Sequence, residues 1–363
     1  MNTLADPTRL LCNNTPLLDV RAPVEFNRGA FPGATNIPLL NDEQRHLIGI
    51  RYKEKGQDKA IELGMELITP EIRASLLKAW RHFITKNPEG YLYCFRGGLR
   101  SRITQKWLAE DGIDYPLIPG GYKSLRKRLI EHLDQLSATL PFVLIGGRTG
   151  SGKTLLLKRL PASIDLEGLA RHRGSSFGRM ASPQPTTIDF ENSLAVSMLQ
   201  LAAQNPRQIY IEDEGKLIGR LAIPQQLRNR MLTLPLVLLK APIERRIQVA
   251  ETDYIINLHQ MYVARFGTEK GSDLFAEHHR SALHRIRKRF GADKTEKSRC
   301  LFEAGLKQHR LNNDTTAYHP YISMLLTEYY DPMYDYQLRS KNRKVIFTGT
   351  ADEVSYWART RQP

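Results

Sequence analysis

The chain has 363 residues, of which 41% are apolar and 25% charged, and a formal net charge of +15. That length exceeds one usual core and sets two domains as the expectation, the composition excludes a disordered or fibrous chain, and the basic excess points to a polyanionic partner, nucleic acid being the commonest. Three widely separated cysteines (Cys12, Cys94 and Cys300) exclude a disulfide framework, and the sequence shows neither a signal-peptide pattern nor roughly eighteen apolar residues in a row, so the expected location is cytoplasmic, away from membranes.

In chain order, Leu17-Leu-Asp-Val20 reads as a short buried strand. Gly29-Ala-Phe-Pro-Gly-Ala-Thr-Asn-Ile-Pro38 contains a Pro-Gly turn and a short strand leaving it. From Asn41 to Lys86 the spacing of Leu, Ile, Ala and Trp predicts several amphipathic helices, as in Glu71–Trp80. Gly90–Ser101 then reads as a strand running into a glycine-rich loop, with Ser101 capping a helix from Arg102 to Glu110. Cys94 sits where that strand ends. Gly97 and Gly98 let the loop turn its N–H groups inward, the following helix adds partial positive charge, and Arg96 and Arg100 add more. A thiolate there is stabilised and reactive near neutral pH. Cys12 and Cys300 read as small hydrophobes.

Three segments resemble a rhodanese domain: Asp19-Val-Arg-Ala-Pro-Val-Glu-Phe26, Gly29–Pro38 and the Cys94 loop, spanning about the first 135 residues. The resemblance implies a cysteine that carries transferred sulfur as a persulfide and a structural role for Asp19 and Arg21. The loop Cys94-Phe-Arg-Gly-Gly-Leu-Arg100 is one residue longer than the common Cys-x-x-Gly-x-Arg form and has the Cys-x5-Arg spacing of cysteine phosphatases. A larger anion therefore fits the expected cradle.

The second half opens near residue 138, giving expected domains of 1–137 and 138–363. Pro141-Phe-Val-Leu-Ile145 leads into Gly146-Gly-Arg-Thr-Gly-Ser-Gly-Lys-Thr154 and then into a helix-like run, the context a phosphate-binding loop requires. The candidate diphosphate cradle is Gly147, Arg148, Thr149, Gly150, Ser151, Gly152, Lys153 and Thr154. Ala162–Leu166, Arg207–Glu214, Leu234–Pro242 and Lys344–Gly349 read as further strands of a parallel sheet with crossover helices. Glu212 and Asp213 close one of these and are candidates for an acid or metal role; the metal itself is left unassigned. A basic helical region at about 250–335 interleaves arginines with Tyr and His residues, including His278, His279, Tyr318 and Tyr321, which suits either RNA phosphates with base stacking or a solvated face over packed aromatics. Arg171, Arg173, Arg285, Arg287, Lys288 and Arg289 are the RNA-binding candidates.

Rhodanese order followed by a phosphate loop, together with Tyr93–Ser101, Asp165–Gly178 and Tyr330-Asp-Pro-Met-Tyr334, resembles the bacterial tRNA 2-selenouridine synthase family over essentially the whole chain; Phe95 stands where that family leads one to expect tryptophan. The resemblance implies an α/β chain with a rhodanese-like domain ahead of a phosphate-loop NTPase-like parallel-sheet domain carrying a basic helical insertion. It implies a tRNA with a 2-thiouridine wobble base as substrate, S-geranylated from geranyl diphosphate before selenium from selenophosphate displaces the geranylthio group. Cys94 would carry the selenium as an S-selanyl group, supported by Arg96, Gly97, Gly98, Arg100 and Ser101. No tightly bound cofactor is implied, and a supplier of selenophosphate is a further candidate partner. Two rivals stand beside this: an NTP-dependent tRNA sulfurtransferase using a Cys94 persulfide, and a non-catalytic RNA-binding module. Magnesium and nucleotide use, the tRNAs recognised, the oligomeric state and the lining of the geranyl channel are left open.

Overall fold

The structure, a computed structural model, describes residues 6–340 and 343–360. Its contacts divide the chain into two units: Met1–Gln135 with Thr186–Gln200, and Leu136–Pro185 with Leu201–Pro363. The first crossing falls near the boundary expected at 138. The contiguous ranges 1–137 and 138–363 nevertheless miss Thr186–Gln200, which returns to the first unit. Polar contacts explain the return: Asp189 accepts from the Ala30 N–H at 2.8 Å, Asn192 donates to the Ala30 carbonyl at 2.7 Å, and Glu191 pairs with Arg126 at 2.5 Å. A sequence without periodic signals for such long-range polar contacts gives no warning of them.

In the first unit three short strands, β1 (Leu17–Asp19), β2 (Ala34–Asn36) and β3 (Tyr91–Tyr93), pair in parallel in the order β2-β1-β3. Every residue of β1 is buried, as a central strand covered on both faces requires. Leu18, Val20, Trp80, Leu92, Trp107 and Leu108 lie in one core, and the Trp80 indole donates to the Ile37 carbonyl at 3.1 Å. Between β2 and β3 run a helical segment Asp42–Leu67 and a helix Pro70–Lys86. Asn41 and Gln44 form a capping box at the start of the first, and Thr69 caps the second ahead of Pro70 at N1. Gly56, at φ 80° and ψ −176°, breaks the longer segment into two helices.

The second unit holds β4 (Phe142–Gly147), β5 (Ser163–Ile164), β6 (Ile209–Glu212), a small antiparallel pair β7 (Leu217–Ile218) and β8 (Leu221–Ala222), β9 (Leu236–Leu239) and β10 (Val345–Gly349). The main sheet is parallel throughout, ordered β10-β9-β4-β6-β5. The phosphate loop thus leaves the central strand at its carboxyl end, where open parallel sheets bind ligands. Helices between β9 and β10 build a separate core around Phe275, Phe302, Tyr318 and Tyr321. Two of its segments, Glu251–Ile256 and Leu326–Tyr330, are π-helical. Among the described residues no helix is long and apolar enough to cross a membrane.

Candidate active site

The loop after β3 is shaped by close backbone approach. Gly97 has φ 64°, and a Cβ there would meet the Gly120 and Gly121 nitrogens at 2.9 and 3.0 Å; a Cβ on Gly121 would meet the Cys94 carbonyl at 2.4 Å. Only glycines allow the two turns to touch. The Tyr122 and Lys123 N–H groups donate to the Cys94 and Phe95 carbonyls, both at 2.9 Å, which pins the loop to the start of the helix Gly121–Thr139. Behind it, Arg21 lies buried with three bonds to the Asp19 carboxylate at 2.6–3.0 Å, a fourth to the Gly29 carbonyl at 3.0 Å, and its guanidinium 3.8 Å from the Tyr122 ring centre. The structural role expected of Asp19 and Arg21 has this physical form.

Cys94 Sγ lies 3.2 Å from Ser101 Oγ. Burial opposes ionisation, but the Ser101 hydroxyl and N–H, the Arg96 N–H and the Arg100 charge outweigh it, and the thiol is lowered below its ordinary range. Ser101 does not cap the helix as expected. The helix runs Leu99–Glu110 with Gly98 at its N-cap, so Ser101 sits in the first turn and donates to the Gly98 carbonyl at 3.0 Å. Its hydroxyl faces the sulfur because the helix begins three residues earlier than its apolar pattern shows. Arg100 is held by Glu25 at 2.5 and 3.1 Å, and Glu25 also takes Arg45 at 3.0 Å. Burial opposes the charge on Glu25, yet these arginines lower it overall. Glu25 escaped the sequence reading, although it is the acid of the Asp19–Phe26 motif.

In the phosphate loop, Gly150 and Gly152 have φ 79° and 86°, and a Cβ on Gly150 would meet the Arg246 carbonyl at 2.7 Å. Lys153 Nζ donates to the Gly147 carbonyl at 3.1 Å, the Thr154 hydroxyl to Glu212 at 3.3 Å, and the Ser151 hydroxyl is buried without a partner among the described residues. A cavity of about 330 Å³ opens over the loop, with Lys153, Thr154, Glu167, Arg173 and Glu214 in its wall. Glu214 is the last of the three acids that end the Arg207–Glu214 run, whereas Glu167 was not anticipated, since it stands in a separate segment that only the fold brings to the loop. Burial, then Glu167, pushes Glu214 up to about 8; burial also raises Glu167 against the pull of Lys153. Burial and then Glu167 raise Glu212 well above the usual carboxylic range.

Two expected members of this site are held in ion pairs by residues distant in sequence, although Asp213 still lines the cavity. Arg148 is drawn off to Asp335 at 2.7 Å and Asp331 at 3.4 Å. Asp213 is buried against Arg343 at 2.7 Å, so of the two acids named only Glu212 meets the loop's threonine. Arg246 was also missed. It donates to the Thr149 carbonyl at 3.0 Å and to both Asp331 oxygens at 2.9 and 2.5 Å, which gives the Tyr-Asp-Pro-Met-Tyr run a physical role in fixing the loop. Among the described residues no group of three or more His, Cys, Asp or Glu side chains is arranged to hold a metal.

The tRNA candidates divide. Arg287 and Lys288 are exposed on the helix Thr268–Phe290, Arg171 is exposed at a left-handed helix end, and Arg285 donates to the Ser176 carbonyl at 3.1 Å. Arg173 pairs with Asp253 at 2.7 Å and, like the exposed Arg289, lines the phosphate cavity. The interleaved aromatics are no stacking platform. Tyr318, Tyr321 and His279 are buried, and His279 contacts the Tyr321 hydroxyl and Tyr254 carbonyl at 3.1 Å each. Burial lowers His279 to about 3 and His278 to about 4, so both are neutral core groups.

Comparison with known proteins agrees with both halves. Residues 7–128 match the rhodanese-like domain, and residues 140–363 match the tRNA 2-selenouridine synthase AAA domain. A tRNA 2-selenouridine synthase of Marinobacter nauticus is 51% identical over 98% of this chain and 97% of its own. One from a Sulfurovum species is 45% identical, and one from Proteus mirabilis 46%, each over 96% of both chains. The chain belongs to the tRNA 2-selenouridine synthase family.

Proposed function

We propose that the chain makes 2-selenouridine at the tRNA wobble position in two steps, one at each loop. In the first, the sulfur of 2-thiouridine attacks C1 of geranyl diphosphate, the C1–O bond breaks, diphosphate leaves, and the base gives up its N3 proton. The observation that carries this reading is one cavity holding Lys153, which faces a phosphate leaving group, beside the carboxyl pair Glu167 and Glu214, which accepts a proton. Thr154 and Glu212 offer oxygen donors that suit Mg2+, which when bound would neutralise part of the diphosphate charge.

In the second step Cys94 starts as a mixed disulfide with a small thiol; the selenium of selenophosphate displaces that thiol from the Cys94 sulfur while water takes the phosphoryl group, giving phosphate and an S-selanyl group on Cys94. The terminal selenium then attacks C2 of the base and expels geranylthiol, and the small thiol attacks the Cys94 sulfur, which breaks the S–Se bond, frees the selenouridine and restores the mixed disulfide with no net oxidation or reduction. The lowered Cys94 thiol and the surrounding N–H groups support the carrier role. A selenophosphate-forming enzyme is the partner this step calls for.

The test is an assay of the purified full chain with 2-thiouridine tRNA, geranyl diphosphate and no nucleotide. The expected product is the S-geranyl nucleoside. Absence of product, with sulfur or selenium transfer appearing only when ATP is added, would replace this reading with the NTP-dependent sulfurtransferase.

A further inference from the structure

Cys94 opens into a second cavity, of about 1120 Å³, formed within the first unit. Its apolar wall is made by Ile48, Ile50, Tyr52, Ile61, Phe95 and Leu99. The helical segment Asp42–Leu67 that supplies most of these buries only Ala60 among its 26 residues. Ile50 is 41% exposed, Tyr52 56% and Leu99 46%. A selenium-bearing anion needs N–H donors and cations, which the loop provides, and gains nothing from hydrocarbon walls. An apolar surface left open beside a nucleophile marks a ligand with a hydrocarbon part. Six cations stand around the same cavity. Arg21 is paired with Asp19, and Arg45 and Arg100 with Glu25, while Arg28, Lys53 and Arg96 hold no carboxylate among the described residues. The combination fits a hydrocarbon chain attached to a polyphosphate backbone.

We infer that this cavity seats the geranylthio group of the geranylated wobble nucleoside, with the flanking phosphates of the anticodon loop on Arg28, Lys53 and Arg96. The inference rests on the two-step reading above, in which the geranylated base must bring C2 to Cys94. It assigns the first unit its own prenyl-recognition surface, separate from the phosphate loop where the prenyl group is first transferred. Selectivity for the geranylated base over the unmodified thiobase in the second step then comes from the helical segment between β2 and β3.

The test compares binding of anticodon stem-loop RNAs carrying S-geranyl- or S-methyl-2-thiouridine to the full chain. Wild type should prefer the geranyl RNA by roughly tenfold or more, since burying even a few extra methylene groups gives that ratio. The Ile50→Gln/Leu99→Gln double variant changes two exposed positions without altering charge and should reduce the preference to about twofold or less, while Ile50→Met/Leu99→Met should retain it. Thermal unfolding checks that both variants fold. An undiminished preference in the glutamine variant overturns the inference. So does an absence of preference in wild type, and if the glutamine pair then converts a dimer to a monomer in sedimentation, the surface is an interface between copies. Failure of geranyl transfer from geranyl diphosphate, with the RNA preference intact, would remove the two-step reading and leave the prenyl-binding cavity standing.

Discussion

The loops after β3 and β4 share a construction. Each follows a buried parallel strand, turns through glycines whose neighbours leave no room for a Cβ, and ends in a helix N-terminus; each is backed by an Arg–Asp pair, Arg21–Asp19 in one and Arg246–Asp331 in the other. Their side chains then diverge. The first loop delivers a sulfur with a hydroxyl and cations around it, beneath a wide apolar cavity. The second delivers an ammonium and a hydroxyl into a smaller cavity walled by carboxyl groups. Backbone N–H groups make an anion site in both, so the chemistry is decided by what accompanies the anion: a soft nucleophile near hydrocarbon, or a cation beside a base.

Removing the ammonium is the strongest way to break the comparison. Lys153→Ala should lower geranyl transfer by about 10²–10³-fold, the usual effect of losing one charge-stabilising donor. Selenium transfer to tRNA that has been geranylated beforehand should persist. Equal loss of both activities would mean that the two loops do not divide the chemistry.

The backing pairs allow a sharper comparison. Arg21→Met strands the buried Asp19, which has no other cation among the described residues, and should cost roughly 3–5 kcal/mol in denaturant unfolding. Arg246→Met should cost less, because Arg148 remains on Asp331. The reverse order would show that the second pair holds more of its unit than its geometry indicates.

A smaller effect is expected at Ser101. Its hydroxyl and N–H follow burial among the influences on the Cys94 thiol and lower it, so the rate of Cys94 alkylation should rise with pH through a midpoint below that of a free peptide thiol. Ser101→Ala should move the midpoint upward. An unmoved midpoint would assign the lowered thiol to backbone N–H groups and Arg100 alone.

These groups also show what a sequence reveals. Cys94, Gly97, Lys153 and Thr154 were legible as members of the two loops because each lies in a contiguous motif whose local conformation fixes its place. Glu25, Glu167 and Arg246 were not assigned, since their roles arise when segments far apart in sequence are packed together: Arg246 reaches the carbonyl of Thr149, 97 residues earlier. Arg148 and Asp213 lay inside the right motifs, yet Asp335 and Arg343, distant in sequence, hold them in ion pairs. The parallel sheet of the second unit followed from short apolar runs bounded by turns and alternating with helical stretches. The basic helices were legible as basic. Periodicity alone did not show that Tyr318, Tyr321 and His279 face inward, because aromatics and histidines suit a core as well as an RNA surface.

The most direct test of the divided chemistry is a time course with Cys94→Ser, supplied with 2-thiouridine tRNA, geranyl diphosphate, selenophosphate and a thiol reductant, and read by mass spectrometry of the wobble nucleoside. Serine keeps the size of the side chain and removes the nucleophile. The account predicts that S-geranyl-2-thiouridine accumulates and 2-selenouridine does not form; 2-selenouridine appearing at the wild-type rate would contradict it.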